Sequence, residues 1–385
     1  MGLDQRYMVL QKSRSHLMNS LPKSLSELPP RTMKDSYSVA VIPVEQDVAK
    51  LAHYITAEER IRVDRLLEDM DMFALCVAHK HILNPKRKID DKAPHILVTV
   101  NAEVNVYEGL KTQNLKDIIL SGHVTWTSES VIEVTEWAEQ IVDGQSQLLA
   151  KVLFNISAQN ALNSDTTFVN QLIAQDEKEK EILEKKSIEI NERTEENKKF
   201  SLLKVAPTRE EQIVIHESYT RTTDSQHNAR VLPPNTVWMM DTVCYQVFTG
   251  YPSVRNMYNM IFNGFLLRHA VAVSWHAGRL YCKSNPQLIH VTAVHFRNSI
   301  HVGAIIKMLA QVVYTEGNYL QVAVFTDAYN SLSDEAVHSN SFNFTYVLDD
   351  KVKSVVPYSY TDAMLYIDGR RQFKKIKKLK KILHS

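Results

Sequence analysis

The sequence predicts an α+β protein in which an antiparallel sheet wrapped around one long helix occurs twice in tandem. Three observations predict it. An amphipathic helix is followed by about four strands with no second helix between them, the same order returns in the second half, and the matching strands keep a constant offset of 188 residues. A doubly wound parallel sheet is excluded, because parallel strands need a crossover helix between them.

The first helix is read over residues 58–77, where Val63, Leu66, Leu67, Met70, Phe73, Ala74 and Val77 share one face and Arg60, Arg62, Arg65 and Asp69 lie off it. Runs rich in β-branched residues at 95–100, 118–126, 131–138 and 148–157 read as strands, with Ser128-Glu-Ser130 as the turn between the second and third. Residues 176–199 are dominated by Glu, Lys, Asp, Asn and Gln and read as a partly helical connector. A second helix follows at 257–277, apolar nearly all round as befits an element enclosed by a curled sheet, and then strands at 288–296, 305–315, 319–326 and 342–348. The strand-turn-strand from Gly122 to Val134 aligns with that from Ala310 to Val322, Trp126 matching Tyr314 before each turn. Two curled sheets side by side can each hide one edge, which gives the duplication a structural motive.

The 385 residues carry 45 Lys plus Arg against 44 Asp plus Glu, with 44% hydrophobic and 23% charged content, so disordered and fibrous classes are out. Length suggests two domains. No run reaches the roughly 18 apolar residues of a membrane span, since the densest, 257–273, is broken by Arg268 and His269. Cys76, Cys244 and Cys282 lie far apart and odd in number, which fits a reducing compartment and offers no zinc spacing. Cys76 reads as a small buried apolar residue, and His79 and His81 as cations at a helix end rather than metal ligands. Residues 370–385 hold eight Lys and Arg, leaving the rest near −7. Ile376, Leu379, Ile382 and Leu383 make that tail a basic amphipathic helix, suited to peripheral contact with an anionic membrane or to plain solvation. An acidic body and no aromatics among the lysines beyond Phe373 argue against nucleic acid. Residues 1–25 carry four basic residues against one acid, in keeping with a mitochondrial presequence or a frayed terminus.

Several segments carry a resemblance: Val63-Asp-Arg-Leu-Leu-Glu-Asp-Met-Asp, Ser121-Gly-His-Val-Thr-Trp, Arg230-Val-Leu-Pro-Pro-Asn-Thr-Val-Trp-Met, Arg255-Asn-Met-Tyr-Asn-Met-Ile-Phe-Asn-Gly and Ala363-Met-Leu-Tyr-Ile-Asp-Gly-Arg-Arg. Over roughly nine tenths of its length the chain resembles the tandem hotdog-fold acyl-CoA thioesterases of the mitochondrial acyl-coenzyme A thioesterase 9 type. The resemblance implies two hotdog domains, at 36–175 and 230–368, with an N-terminal extension (1–35), a charged connector (176–229) and a basic tail (369–385). It implies hydrolysis of fatty acyl-CoA to fatty acid and CoA, with no cofactor beyond the coenzyme A of substrate and product and no metal. A homo-oligomer is implied, three tandem chains in a ring of six domains being the usual assembly of the family. Localisation is mitochondrial, in the matrix, by the same resemblance. The cytoplasm is the alternative, since Met1 aligns inside the mature region and leaves little room for a transit peptide.

The family pattern has an Asn ahead of the central helix, a Phe-Gly-Gly-like helix entrance, and an Asp one and a half turns further on. The second half matches with Asn256 and Phe262-Asn263-Gly264 but has Val271 at the Asp position. The first half has Thr56 and Arg62-Val63-Asp64 but keeps Asp71. The resemblance therefore implies one competent site, pairing Asp71 with Asn256, and one degenerate site around Thr56 and Val271. Such a site needs a carboxylate and fixed donors for the oxyanion. Asp71 would act as general base or nucleophile, Asn256 would orient the carbonyl or water, and the backbone N–H groups of Asn263 and Gly264 would open the helix as an oxyanion site. Gly264 permits close approach. From the residues alone, with Asp64, Glu68 and Asp69 nearby, Asp71 reads first as a solvated helix carboxylate and Asn256 as a turn or capping residue, and the resemblance reverses that order for Asp71. Asn263 departs from the family Gly and Val271 from the Tyr of close relatives. With no Gly-rich phosphate loop, Arg297 and Lys307 are the candidates for the CoA phosphates. No Gly-x-Ser-x-Gly elbow and no hydratase-type Gly-Asp-x-Asn-Pro-x-His segment appears, so the alternative is a catalytically silent acyl-CoA binder or scaffold.

Overall fold

The computed structural model describes residues 12–86, 93–107, 116–200, 205–227, 229–256, 258–296, 299–330 and 336–383. The first half comprises α1 (Met33–Ser36), β1 (Ser38–Ile42), α2 (Val48–Tyr54), α3 (Val63–His81), β2 (Ile96–Val106), β3 (Ile118–Thr127), β4 (Val131–Val142) and β5 (Gln145–Gln159). The connecting region holds α4 (Glu177–Phe200), α5 (Arg209–Arg221), β6 (Thr223–Asp224) and β7 (Ala229–Arg230). The second half comprises β8 (Thr236–Trp238), β9 (Cys244–Thr249), α6 (Asn263–Cys282), β10 (Gln287–Phe296), β11 (Ile305–Glu316), β12 (Tyr319–Tyr329), β13 (Ala336–Val347), β14 (Ser354–Val356) and α7 (Tyr360–Leu383).

Ten strands form one sheet in the order β1-β3-β4-β5-β2-β10-β13-β12-β11-β9, every neighbouring pair antiparallel. The order reads the same from either end once the halves are equated, so the internal repeat becomes a pseudo-two-fold axis at the β2–β10 junction. That junction removes one edge from each half, as the duplication argument requires. Leu66, Leu67, Met70, Ala74 and Val77 of α3 are fully buried, together with Phe154, Phe342, Phe344 and Tyr346 of the sheet. Each of the Leu, Met, Val and Phe side chains among them contributes about 1.5–3 kcal/mol of burial.

Both central helices begin five to six residues later than periodicity predicts. The chain first makes a tight turn, with the Thr56 N–H donating to Arg60 O and the Asn256 N–H donating to Met260 O. Glu59 and Asn259 are left-handed at φ 54° and 64°. A pattern of apolar residues cannot distinguish this turn from a first helical turn. The helices then pack on each other across the pseudo-axis, where Glu68 of α3 accepts from Arg268 of α6 at 2.8 Å. Residues 68 and 268 are repeat equivalents. In two identical halves like residues would occupy both positions, whereas the tandem chain has opposite charges there.

The connector is a continuous helix, α4, and Lys186 reaches the fully buried Glu133 of β4 at 3.1 Å. At the C-terminus, α7 runs unbroken across residue 369 and packs on β11 and β12 through Ile367, Phe373 and Ile376, all buried. Gly369 allows the crossing, since a Cβ there would stand 2.8 Å from Val313. Arg371 and Glu211 of α5 form a bidentate pair at 2.7 and 2.6 Å. The apolar face of the basic helix is thus occupied by the sheet as far as Ile376. Two expectations need correction. Cys76 is exposed, because it falls on the solvent side of α3 beside Met72. His81 is no cation: it is buried, bonds Asn170 O at 2.9 Å, and burial pushes its pKa down to about 4.

Candidate active site

Helix α3 delivers Asp71 one turn beyond the α3–α6 crossing. The side chain is buried in the core, not the solvated helix carboxylate that the residues alone suggest. The Thr99 hydroxyl of β2 donates to Asp71 Oδ1 at 2.6 Å, while Oδ2 accepts from no protein group. Burial pushes the Asp71 carboxyl up to about 7, against the lowering effects of the Thr99 hydroxyl and the Gly264 backbone N–H; nearby Glu68 raises it further. The entrance of α6, from the second half, comes up against α3 of the first, with Gly264 beside the Glu68 carbonyl, three residues before Asp71.

That approach depends on glycine. A Cβ at residue 264 would meet the Phe262 ring at 2.5 Å and the backbone carbonyl of Glu68 at 3.0 Å. The helix opens at Asn263 with Phe262 as N-cap and no side-chain cap, so its first N–H groups carry the positive end of the helix dipole. The Asn263 side chain is committed elsewhere: its Nδ2 donates to Thr99 O at 2.7 Å and ties the entrance of α6 to β2 of the other half. One residue, Thr99, therefore holds Asp71 through its hydroxyl and Asn263 through its carbonyl.

Asn256 occupies the turn ahead of α6, where its Oδ1 accepts from the N–H groups of Tyr258 and Met260 at 2.9 and 3.1 Å. The amide Nδ2 is left as the donor. In the equivalent turn of the first half Thr56 Oγ1 accepts from the Arg60 N–H alone, at 3.3 Å, so the turn itself does not demand Asn. Thr56 and Val271 line one cavity of ≈ 830 Å³ together with Arg62, Asp64 and Trp275. Arg62 and Asp64 pair across the entrance at 2.6 Å.

The structure thus brings together Asp71, Gly264 and, through Thr99, Asn263. Asn256 stands seven residues upstream on the same entrance segment. Lys307 lies apart, on the outward face of edge-proximal β11 with its ammonium 4.9 Å from the Tyr245 ring. Arg297 falls outside the described residues. Among the described residues, no group of three or more His, Cys, Asp or Glu side chains is placed to hold a metal ion, and no helix is long and apolar enough to cross a membrane. Sequence reading missed Thr99. It is one β-branched residue in a run of them, and only the strand's position beneath α3 distinguishes it.

No family model matches the chain. Among curated proteins, acyl-coenzyme A thioesterase 9, mitochondrial, of Bos taurus is 33% identical over 369 residues, covering 94% of this chain and 83% of the relative. The chain belongs to the acyl-coenzyme A thioesterase 9 and 10 family. Mouse acyl-coenzyme A thioesterase 10, mitochondrial, is 32% identical over the same coverage. A more distant thioesterase relative is acyl-coenzyme A thioesterase 4, mitochondrial, of Humulus lupulus, 24% identical with 89% of this chain and 67% of the relative covered. Among solved structures, an acyl-CoA hydrolase from Staphylococcus aureus matches 39% of this chain and 98% of its own at 19% identity and TM-score 0.35. An apo hexameric acyl-CoA thioesterase matches 37% of this chain and 96% of its own at 20% identity and TM-score 0.36. The thioesterase chain described here is a tandem of two hotdog domains, each an antiparallel sheet wrapped around one central helix.

Proposed function

We propose that this chain hydrolyses fatty acyl-CoA to the free fatty acid and CoA at one composite site between its two halves. The observation that carries the proposal is the buried Asp71 carboxylate of α3 lying against the glycine entrance of α6. Water gives its proton to Asp71, the hydroxide attacks the thioester carbonyl, and the N–H groups of Asn263 and Gly264 hold the oxyanion. The C–S bond then breaks and the thiolate takes the proton from Asp71, leaving carboxylic acid and CoA thiol. A pKa near 7 favours the base over the nucleophile role, because a base works best when its pKa lies near the operating pH. Thr99 fixes the carboxylate.

Symmetry supports pairing Asn256 with Asp71, since the equivalent residues Thr56 and Val271 line one cavity. The Asn256 Nδ2 then orients the carbonyl or the water. The cavity of Thr56 and Val271 has neither the Asp nor the Asn at the two equivalent positions, has an Arg62–Asp64 pair where α6 has its Asn263-Gly264 entrance, and turns nothing over. Mitochondrial placement follows the naming of the relatives; the matrix as the compartment and a reaction that needs no cofactor besides coenzyme A are part of the same proposal.

The test is release of CoA thiol from short, medium and long acyl-CoAs. Asp71→Asn is expected to cut kcat by roughly 10² to 10⁴ and Asn256→Ala by at least about tenfold, with folding retained. Undiminished turnover in Asp71→Asn would remove the assignment. CoA-dependent thermal stabilisation with no hydrolysis by wild type would favour a silent binder instead.

A further inference from the structure

A second carboxyl is buried beneath α3. Glu136, on the inner face of β4 with Ile132, Val134 and Ala138, is fully buried, and neither of its carboxyl oxygens has a hydrogen-bond partner. Its strand neighbours are Gly122 and Val152. Gly122 makes the room, since a Cβ there would stand 2.9 Å from Glu136 Cγ. An unpaired acid in a core is costly, and a close-packed position normally discards it.

The internal repeat supplies the control. Glu136 opposite Gly122 corresponds, at the offset of 188, to Val324 opposite Ala310, an ordinary apolar pair. Asp71 corresponds to Val271. The half that keeps the Asp on its helix keeps the Glu beneath it, and the half that has Val at one position has Val at both. Burial alone cannot explain Glu136, because the same fold fills the equivalent site with valine.

Resting on the reading of Asp71 as the base, we propose that Glu136 is a positioning residue whose protonated carboxyl donates to the Asp71 carboxylate, so that the two buried acids share one proton while the enzyme is active. Both partners have the capacity. Asp71 Oδ2 is unbonded, and Glu136 is held neutral, its pKa pushed well above the usual carboxylate range first by burial and then by the charge of Asp71. The titratable groups that act on Glu136 are Asp71 and Cys76 of α3; β3 and β5 present Gly122 and Val152. On Asp71 act Thr99 from β2, the Gly264 N–H from α6 and Glu68 from its own helix, Glu68 being paired with Arg65 and Arg268. None of these besides Glu136 can offer Asp71 a carboxylic O–H. A donor to the carboxylate favours its charged form, so losing the donor must raise the pH at which Asp71 ionises.

The experiment is the pH dependence of kcat/KM for wild type, Glu136→Gln, Glu136→Val and Asp71→Asn, with melting temperatures alongside. Glu136→Val should melt no lower than wild type yet have its acid limb moved up by about one pH unit, losing close to tenfold in rate below the limb. Glu136→Gln keeps a neutral N–H donor and should leave the limb near the wild-type position. An acid limb unmoved or lowered in Glu136→Val, or moved as far by Gln as by Val, overturns the proposal. If Glu136→Val does not fold, Glu136→Met, close to the length of Glu, is read in its place. Should Asp71→Asn retain turnover, the base assignment itself falls. Should it be inactive while both Glu136 variants keep the wild-type limb, the Glu136 proposal alone falls.

Discussion

Asp71 links activity and stability with opposite signs. A carboxyl whose pKa rises from the ordinary value near 3.8 to about 7 on folding binds its proton more tightly in the folded chain than in the unfolded one. Stability from this group is therefore full below the unfolded pKa and is lost as pH climbs from about 4 to about 7, on the order of 4 kcal/mol in all. The base, however, works only when ionised. Lowering pH through 7 should thus reduce kcat/KM about tenfold per unit while the fold grows more resistant to denaturant over the same window. Asp71→Asn, which removes the charge, should raise the neutral-pH unfolding free energy and flatten its pH dependence between 4 and 7, measured by urea denaturation at several pH values. A neutral-pH loss of stability in that variant would mean that Asp71 is held ionised by partners, as an ordinary salt-bridged acid is.

At the level of elements, the site depends on how closely α6 can enter against α3. Gly264→Ala would press a Cβ onto the Glu68 carbonyl, which cannot rotate away as the Phe262 ring can. A cost of about 1–3 kcal/mol is expected, with kcat reduced through displacement of the oxyanion donors. Gly278→Ala, on the same helix with its nearest contact at 3.4 Å, is the control and should be near neutral in melting temperature and turnover. The central helices, eight of the strands and the repeat were legible because their periodicity spans ten or more residues. Edge strands β1 and β9 were not, being five and six residues long and half exposed, so no alternation of apolar and polar marks them. Within the site, family likeness pointed to Asp71, whereas its neighbours Asp64, Glu68 and Asp69 make it look like part of a solvated acidic face. Thr99 and Glu136 sit on strands whose partners are fixed only by tertiary packing.

For the whole molecule, fusing two halves removes two of four sheet edges and leaves β1 and β9 at the ends of the ten-stranded sheet. Natural edges are usually protected by charge or proline. Neither strand carries any: β1 reads Ser-Val-Ala-Val-Ile and β9 reads Cys-Tyr-Gln-Val-Phe-Thr. Their outward side chains, Val39 and Val41 on one and Tyr245 and Val247 on the other, are each more than half exposed. Unprotected apolar edges at both ends of one sheet argue for association with further copies of the chain. Contact of β1 with β9 of the next copy is head-to-tail, and such a contact builds a closed ring where its rotation allows and an open filament otherwise. Light scattering of the full chain should accordingly give a mass above the 44.1 kDa of one copy. Val41→Lys combined with Val247→Lys should return it to one copy while leaving thioester hydrolysis in place, because Asp71 and Gly264 meet within a single chain. A one-copy mass for wild type would show that the edges stay free, and loss of activity on dissociation would show that a neighbouring chain completes the site.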